Sequence, residues 1–229
     1  MKKATFNGPA TFTPSPHVEV TEEQLALVSM ACSILLDYPG EDFLDRLTAV
    51  ETVLDRVPGE VAEEISAFAR TARREGVRGL DTHYVDIFDQ RRRCSLYLSY
   101  YAVGDTRQRG TAILAFGDAL RACGFNLARR ELPDHLCVVL EAVATAADPT
   151  LLVELLSAHR DGIEVLRTAL ESAESPYYHL IRAIAMVLPL MDEETTDRYL
   201  ALVRKGPPAE LVGISDIASP LPLSEVTKP

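Results

Sequence analysis

Thr21-Glu22-Glu23-Gln24-Leu25-Ala26-Leu27-Val28-Ser29-Met30-Ala31-Cys32-Ser33-Ile34-Leu35-Leu36-Asp37-Tyr38-Pro39-Gly40 reads as a helix with both ends marked. Thr21 is an N-cap type and Gln24 supplies the reciprocal partner of a capping box. Leu25, Val28, Cys32, Leu35 and Leu36 recur at helical spacing, and Pro39-Gly40 stops the run. The same grammar repeats along the chain. A second helix is expected from about Glu41, with Phe43, Leu44, Leu47, Val50, Leu54 and Val57 inward. After Pro58-Gly59 a third carries Val61, Ile65, Phe68 and Ala72, with Gly76 and Gly79 ending it. Asp81 or Thr82 then caps a short helix bearing Tyr84, Ile87 and Phe88.

Further on, Asp105 or Thr106 caps a helix from about Arg107 to Cys123, with Ile113, Leu114, Phe116, Ala119 and Leu120 in its apolar stripe. Pro133 fits the first position of another, which buries Leu136, Val139, Leu140 and Val143. Pro149 opens one long helix that runs through Leu156 and Ile163 to Leu170. Pro176 opens the next, and a last one runs from about Asp192 to Gly206. No segment alternates with period two over strand length, and no fixed-length repeat is visible. The expected fold is therefore all-α: one domain over residues 21–206 with roughly eight to ten helices, packed without up-down symmetry. Residues 1–20 form a mobile arm in this reading, and the Pro- and Ser-rich residues 207–229 a disordered tail.

One stretch departs from the helical grammar. Between Tyr84 and Gly110, aromatics gather at Tyr84, Phe88, Tyr97, Tyr100 and Tyr101, in a chain that is only 7% aromatic. Arg91, Arg92, Arg93, Arg107 and Arg109 gather there too, against a formal net charge of -11. A half-buried arginine cluster beside tyrosines stacks on rings and forks onto anions, whereas a solvated basic loop contributes little. Core packing and a groove wall both remain open for Tyr97, Tyr100 and Tyr101.

The acidic balance argues against nucleic acid, which needs a basic face. A hydrophobic fraction of 47% argues against disorder. Cys32, Cys94, Cys123 and Cys137 are widely spaced without a C-x-x-C pair, which reads as reduced core thiols in a cytoplasmic protein. Lys2 and Lys3 are followed by Gly8, Pro9, Pro14 and Pro16, so no secretory signal is expected. The apolar run Leu180–Leu190 is too short to span a bilayer.

The five histidines form no H-E-x-x-H pattern, and no phosphate loop or G-x-S-x-G elbow is present. His135 with Cys137 and Cys123 matches no common zinc spacing. His135 itself is expected in the first turn of a helix, where free N–H groups disfavour an imidazolium while Asp134 and Glu131 favour it.

Tyr84-Val85-Asp86-Ile87-Phe88-Asp89, Arg91-Arg92-Arg93-Cys94, Leu96-Tyr97-Leu98, Tyr100-Tyr101 and Gly104-Asp105-Thr106-Arg107 together resemble the hallmark of a known family. These are the nitrate reductase molybdenum cofactor assembly chaperones, also called delta subunits of respiratory nitrate reductase. Glu131-Leu132-Pro133-Asp134-His135-Leu136 is similar to a second family motif, shared with the wider redox-enzyme maturation chaperones. The segment from Cys32 to Pro39 resembles the family's first helix. The likeness covers about Thr21 to Arg204. It implies an all-helical cytoplasmic chaperone without catalytic activity or cofactor of its own. Its partner would be the apo catalytic subunit of nitrate reductase, gripped by its N-terminal segment until molybdenum cofactor and iron–sulfur centres are in place. Proteins that deliver the cofactor are further implied partners.

The resemblance carries Tyr84, Phe88, Asp134 and His135 over as partner-binding positions. Arg91, Arg92, Arg93, Tyr97, Tyr100, Tyr101, Asp105, Arg107 and Glu131 follow as members of the signature. After Phe88 the chain departs from the relatives that serve exported enzymes, running Asp89-Gln90-Arg91-Arg92-Arg93 where glycine and prolines are usual. That favours the nitrate reductase branch. Two other classes stand beside this one: a helical adaptor for a different protein client, and a metal-dependent hydrolase built on His135.

Overall fold

The computed structural model describes residues 14–104, 107–126 and 131–189. Among them are nine α-helices and no strand: α1 Glu22–Leu36, α2 Phe43–Glu51, α3 Gly59–Tyr84, α4 Leu98–Val103, α5 Gln108–Ala122, α6 Leu136–Thr145, α7 Thr150–Ala158, α8 Arg160–Ser172 and α9 Tyr177–Val187. The all-α expectation holds. The final expected helix, Asp192 to Gly206, and the tail lie outside the described residues.

The axis of the fold is α1, which lies against α2, α6 and α9. Its capping box forms as expected: the Gln24 N–H donates to Thr21 Oγ1 (3.2 Å), and the Thr21 N–H donates to Gln24 Oε1 (3.1 Å). Val28, Cys32, Leu35 and Leu36 are buried, and small residues between them let α6 approach closely. There Ser33 Oγ donates to the Cys137 carbonyl at 2.8 Å. Asp37 ends the helix in an extended conformation (φ -71, ψ 158), and Pro39 two residues on biases Tyr38 before it away from α, so the helix does not resume there. The helix α3 buries Val61, Ile65, Phe68 and Ala72, as its spacing predicts.

Several expected boundaries moved, each for a tertiary reason. The run beginning at Gly59 kinks at Gly76, whose φ of +69 suits glycine, but continues through Gly79 to Tyr84. Asp81 and Thr82 are thus interior residues, not caps. Burial of Leu80 and Tyr84 on the far side of the kink outweighs the glycine signal. Val85–Asp89 then closes as a π-helical turn.

The single long helix expected from Pro149 to Leu170 is two helices broken at His159 (φ -107, ψ 15). His159 Nδ1–H donates to the Leu155 carbonyl (2.9 Å) and closes α7, while its ring meets Phe116 at 4.8 Å. The break lets Gly162 lie against α4: a Cβ there would sit 2.7 Å from Tyr101 Cβ. Pro133 precedes α6 without entering it, and His135 occupies the N-cap position with extended backbone.

Residues 14–20, placed in the arm by the sequence reading, run extended over α8 and α9. The Ser15 N–H donates to Glu164 Oε1 (3.3 Å) and the Val18 N–H to the Met186 carbonyl (2.8 Å). Beneath them Arg160, Glu164 and Arg167 are buried together. Arg167 Nε donates to Glu164 Oε2 (2.5 Å), and Arg160 Nη1 donates to the Leu188 carbonyl (2.6 Å), holding the end of α9.

Candidate functional site

A cavity of about 470 Å³ opens where the α1–α2 connection, the end of α3, the arginine-rich segment and residues 131–135 converge. Its floor is aromatic. Tyr84 meets Phe88 at 4.7 Å and Tyr38 at 5.4 Å between ring centroids. Under them Tyr177, buried at the start of α9, touches Tyr84 (5.7 Å) and Phe88 (5.0 Å). The π-helical turn sets the register: it follows directly from Tyr84, so Phe88 and Asp89 both reach the cavity while Ile87 points into the core. Such turns are frequent at functional sites.

The opposite wall is a pair of extended residues. Tyr97 and His135 form an isolated antiparallel bridge, framed by Leu98 N–H to Asp134 O (2.9 Å) and Leu136 N–H to Leu96 O (2.8 Å). Their rings meet edge to face at 5.1 Å. The Tyr97 hydroxyl donates to Glu131 Oε1 (2.9 Å), and the Arg109 guanidinium lies over the Tyr97 ring at 5.5 Å. Burial, then the Glu131 hydrogen bond, pushes the Tyr97 hydroxyl up to about 12. Burial works to raise the Glu131 carboxyl, but donors from Leu132 N–H and Tyr97, with His135 nearby, together hold it below its ordinary value. His135 is 8% exposed, and its Nδ1 has no hydrogen-bond partner. Desolvation depresses its pKa against the pull of Glu131, Asp37 and Asp134, so the ring is neutral at pH 7.

Of the positions singled out in the sequence, Tyr84, Phe88, Arg91, Arg92, Tyr97, Tyr100, Glu131 and His135 line this cavity. Four do not. Tyr101 is buried, and its hydroxyl lies 2.8 Å from the Ser95 carbonyl and 3.0 Å from that of Arg93, so it is a core residue. Arg93 lines a second cleft of about 330 Å³ with Cys94 and, from the end of α8 and the residue after it, Ala169, Ser172 and Ala173; Arg91 and Arg92 border both. Arg107 precedes α5 and is exposed. Asp134 has no exposed surface at all. Asp105 lies outside the described residues.

Also lining the cavity, but not singled out in the sequence, are Asp37 and Tyr38 from the α1–α2 connection, Asp89 after the π turn, Ser95 and Leu96; Arg109 from α5, noted in the arginine cluster but not among the partner-binding positions, joins them. The signal for the first two was an aspartate and an aromatic ring stranded between a helix end and Pro39. Among the described residues no three histidine, cysteine or carboxylate side chains come together as a metal site, and no helix is long and apolar enough to cross a membrane.

The described residues thus form a helical body that carries one aromatic-floored, charge-rimmed cavity. The chain belongs to the nitrate reductase delta subunit family, whose model matches residues 54–182. It is 36% identical over 185 residues to the nitrate reductase-like protein NarX of Mycobacterium tuberculosis (strain H37Rv), covering 81% of this chain but only 28% of that longer protein. It is 26% identical over 172 residues to the probable nitrate reductase molybdenum cofactor assembly chaperone NarJ of Bacillus subtilis (strain 168), covering 75% of this chain and 92% of that one. A crystal structure of a redox enzyme maturation protein from Archaeoglobus fulgidus shares the fold, with a TM-score of 0.51 at 23% identity over 77% of this chain and 96% of that one.

Proposed function

We propose that this protein is a maturation chaperone that grips the apo catalytic subunit of nitrate reductase by its N-terminal segment. It holds that subunit in the cytoplasm for insertion of molybdenum cofactor and iron–sulfur centres, and performs no catalysis itself. Family membership and the name carried by the Bacillus relative support the client. The observation that carries the grip is the cavity itself, with Tyr84, Phe88 and Tyr38 below, and Tyr97 and His135 as a wall.

A cavity of this size takes a few side chains, not a whole helix. It therefore suits an amphipathic helix that lays two or three apolar anchors into it from one face. Asp37, Asp89 and Glu131 on the rim favour basic client residues and speed encounter. Arg91, Arg92 and Arg109 fix the register by meeting the client's acidic groups.

Calorimetry with a synthetic peptide of the subunit's N-terminal segment tests this reading. Binding should fall by at least about tenfold in Phe88→Ala, the scale of one lost aromatic anchor. Equal affinity in Phe88→Ala and the native chain would remove the cavity from the interaction. Co-purification of a different protein in place of the nitrate reductase subunit would favour the adaptor class.

A further inference from the structure

Asp134 sits inside the motif that resembles the family's binding signature, yet nothing in solvent can reach it. Its carboxylate Oδ2 accepts a hydrogen bond from Ser99 Oγ at 2.5 Å, and its backbone carbonyl accepts the Leu98 N–H at 2.9 Å. Leu98 and Ser99 are the first two residues of α4, whose N-cap, Tyr97, makes no side-chain capping bond to the helix. Ser99 is likewise wholly buried. One residue thus fastens the start of α4 from across the fold, through side chain and main chain together. The residue after it, His135, is the N-cap of α6.

We infer that Asp134 is a positioning residue. It clips the start of α4 to the start of α6 and so fixes the Tyr97–His135 pair as one wall of the cavity, without touching the client. Four observations carry the inference: complete burial, the bond to an equally buried serine, the main-chain bonds on both sides of the bridge, and the absence of Asp134 from the cavity lining. The inference rests on the cavity being the client site, but the clip itself is testable without a client.

The experiment compares Asp134→Ala, Asp134→Asn and Ser99→Ala by two readouts. The first is affinity for the client's N-terminal peptide. The second is hydrogen exchange of the Leu98 and Leu136 amides, which measures the bridge in the free protein. Ser99→Ala should weaken peptide binding by about tenfold, the scale of one buried hydrogen bond, and speed exchange at Leu98 to a similar extent. Asp134→Ala should do at least as much, and the double variant should be no worse than Asp134→Ala alone. Asp134→Asn keeps an acceptor for Ser99 and should restore most of both signals.

Ser99→Ala matching the native chain while Asp134→Ala loses binding would overturn the inference, because only direct contact explains that pattern. Asp134→Asn failing as badly as Asp134→Ala would also overturn it, by making the charge itself the recognised feature. If the native chain does not bind the peptide, the proposed function fails, and amide exchange alone decides the clip. Unchanged exchange at Leu98 in Ser99→Ala then refutes it.

Discussion

Gly162→Ala tests the packing that holds the cavity wall in place, because Gly162 is where α8 meets α4. A methyl group there would lie 2.7 Å from Tyr101 Cβ, 3.0 Å from its Cγ and 3.1 Å from Cδ2. The nearest atom is fixed to the backbone, so no rotamer change relieves the overlap and the helices must part. Overpacking of this kind costs about 1–3 kcal/mol. Alanine returns up to about 1 kcal/mol through helix propensity and a less free unfolded chain. The steric term wins, leaving a net loss of about 1–2 kcal/mol, or roughly 2–8 °C in Tm for a chain of this size. Gly110→Ala in α5 is the matched control, since nothing lies within 4 Å of its added Cβ. It should leave Tm unchanged or raise it by a few degrees, about 2–4 °C. Thermal melts followed by circular dichroism read both. A Gly162→Ala chain as stable as the native one, or two glycine variants shifting alike, would refute the close approach of α4 and α8.

The buried Tyr177 hydroxyl has no partner, so Tyr177→Phe should keep the ring contacts under Tyr84 and Phe88 and gain about 1 kcal/mol in denaturant unfolding. Tyr177→Ala should lose about 3–5 kcal/mol and weaken client binding with it. Glu164→Gln leaves Arg160 and Arg167 buried with less compensation. A loss of about 3–5 kcal/mol is expected, together with faster amide exchange at Ser15 and Val18, whose strap lies over that carboxylate. Burial lowers the pKa of His135 and of His83 below the ordinary 6.5. The unfolded chain therefore takes up these protons first, and stability falls as pH drops below about 6.5 toward the lower folded values. Denaturant midpoints between pH 7.5 and 5 should show that slope, flattened in His135→Gln; a slope identical in the variant would remove His135 from it.

How much of this was legible depended on how far apart the partners stand in the chain. The α1 capping box was readable because Thr21 and Gln24 are neighbours along the sequence. The break at His159 was not, because Leu152, Leu156, Ile163, Leu166 and Leu170 look like one stripe. What divides it is the approach of Gly162 to Tyr101, a residue from another helix. Tyr100 and Tyr101 were read alike, but adjacent helical residues point in different directions, so one lines the cavity and the other fills the core. Nothing in the sequence near Arg160 and Glu164 signals their burial. They are buried because residues 14–20, which lack any period, pack over that end of α8. The cavity's aromatic wall was visible as a compositional anomaly, whereas Asp37 and Tyr38 join it only through the docking of α1.

In the proposed role, this chain holds an unfinished nitrate reductase subunit until its cofactor is in place. The most direct measurement is the molybdenum content of that subunit, purified from cells with and without this chain. Near-stoichiometric metal is expected with the chain, severe depletion without it, and recovery when the native chain but not Phe88→Ala is returned. Equal molybdenum in both preparations would contradict it.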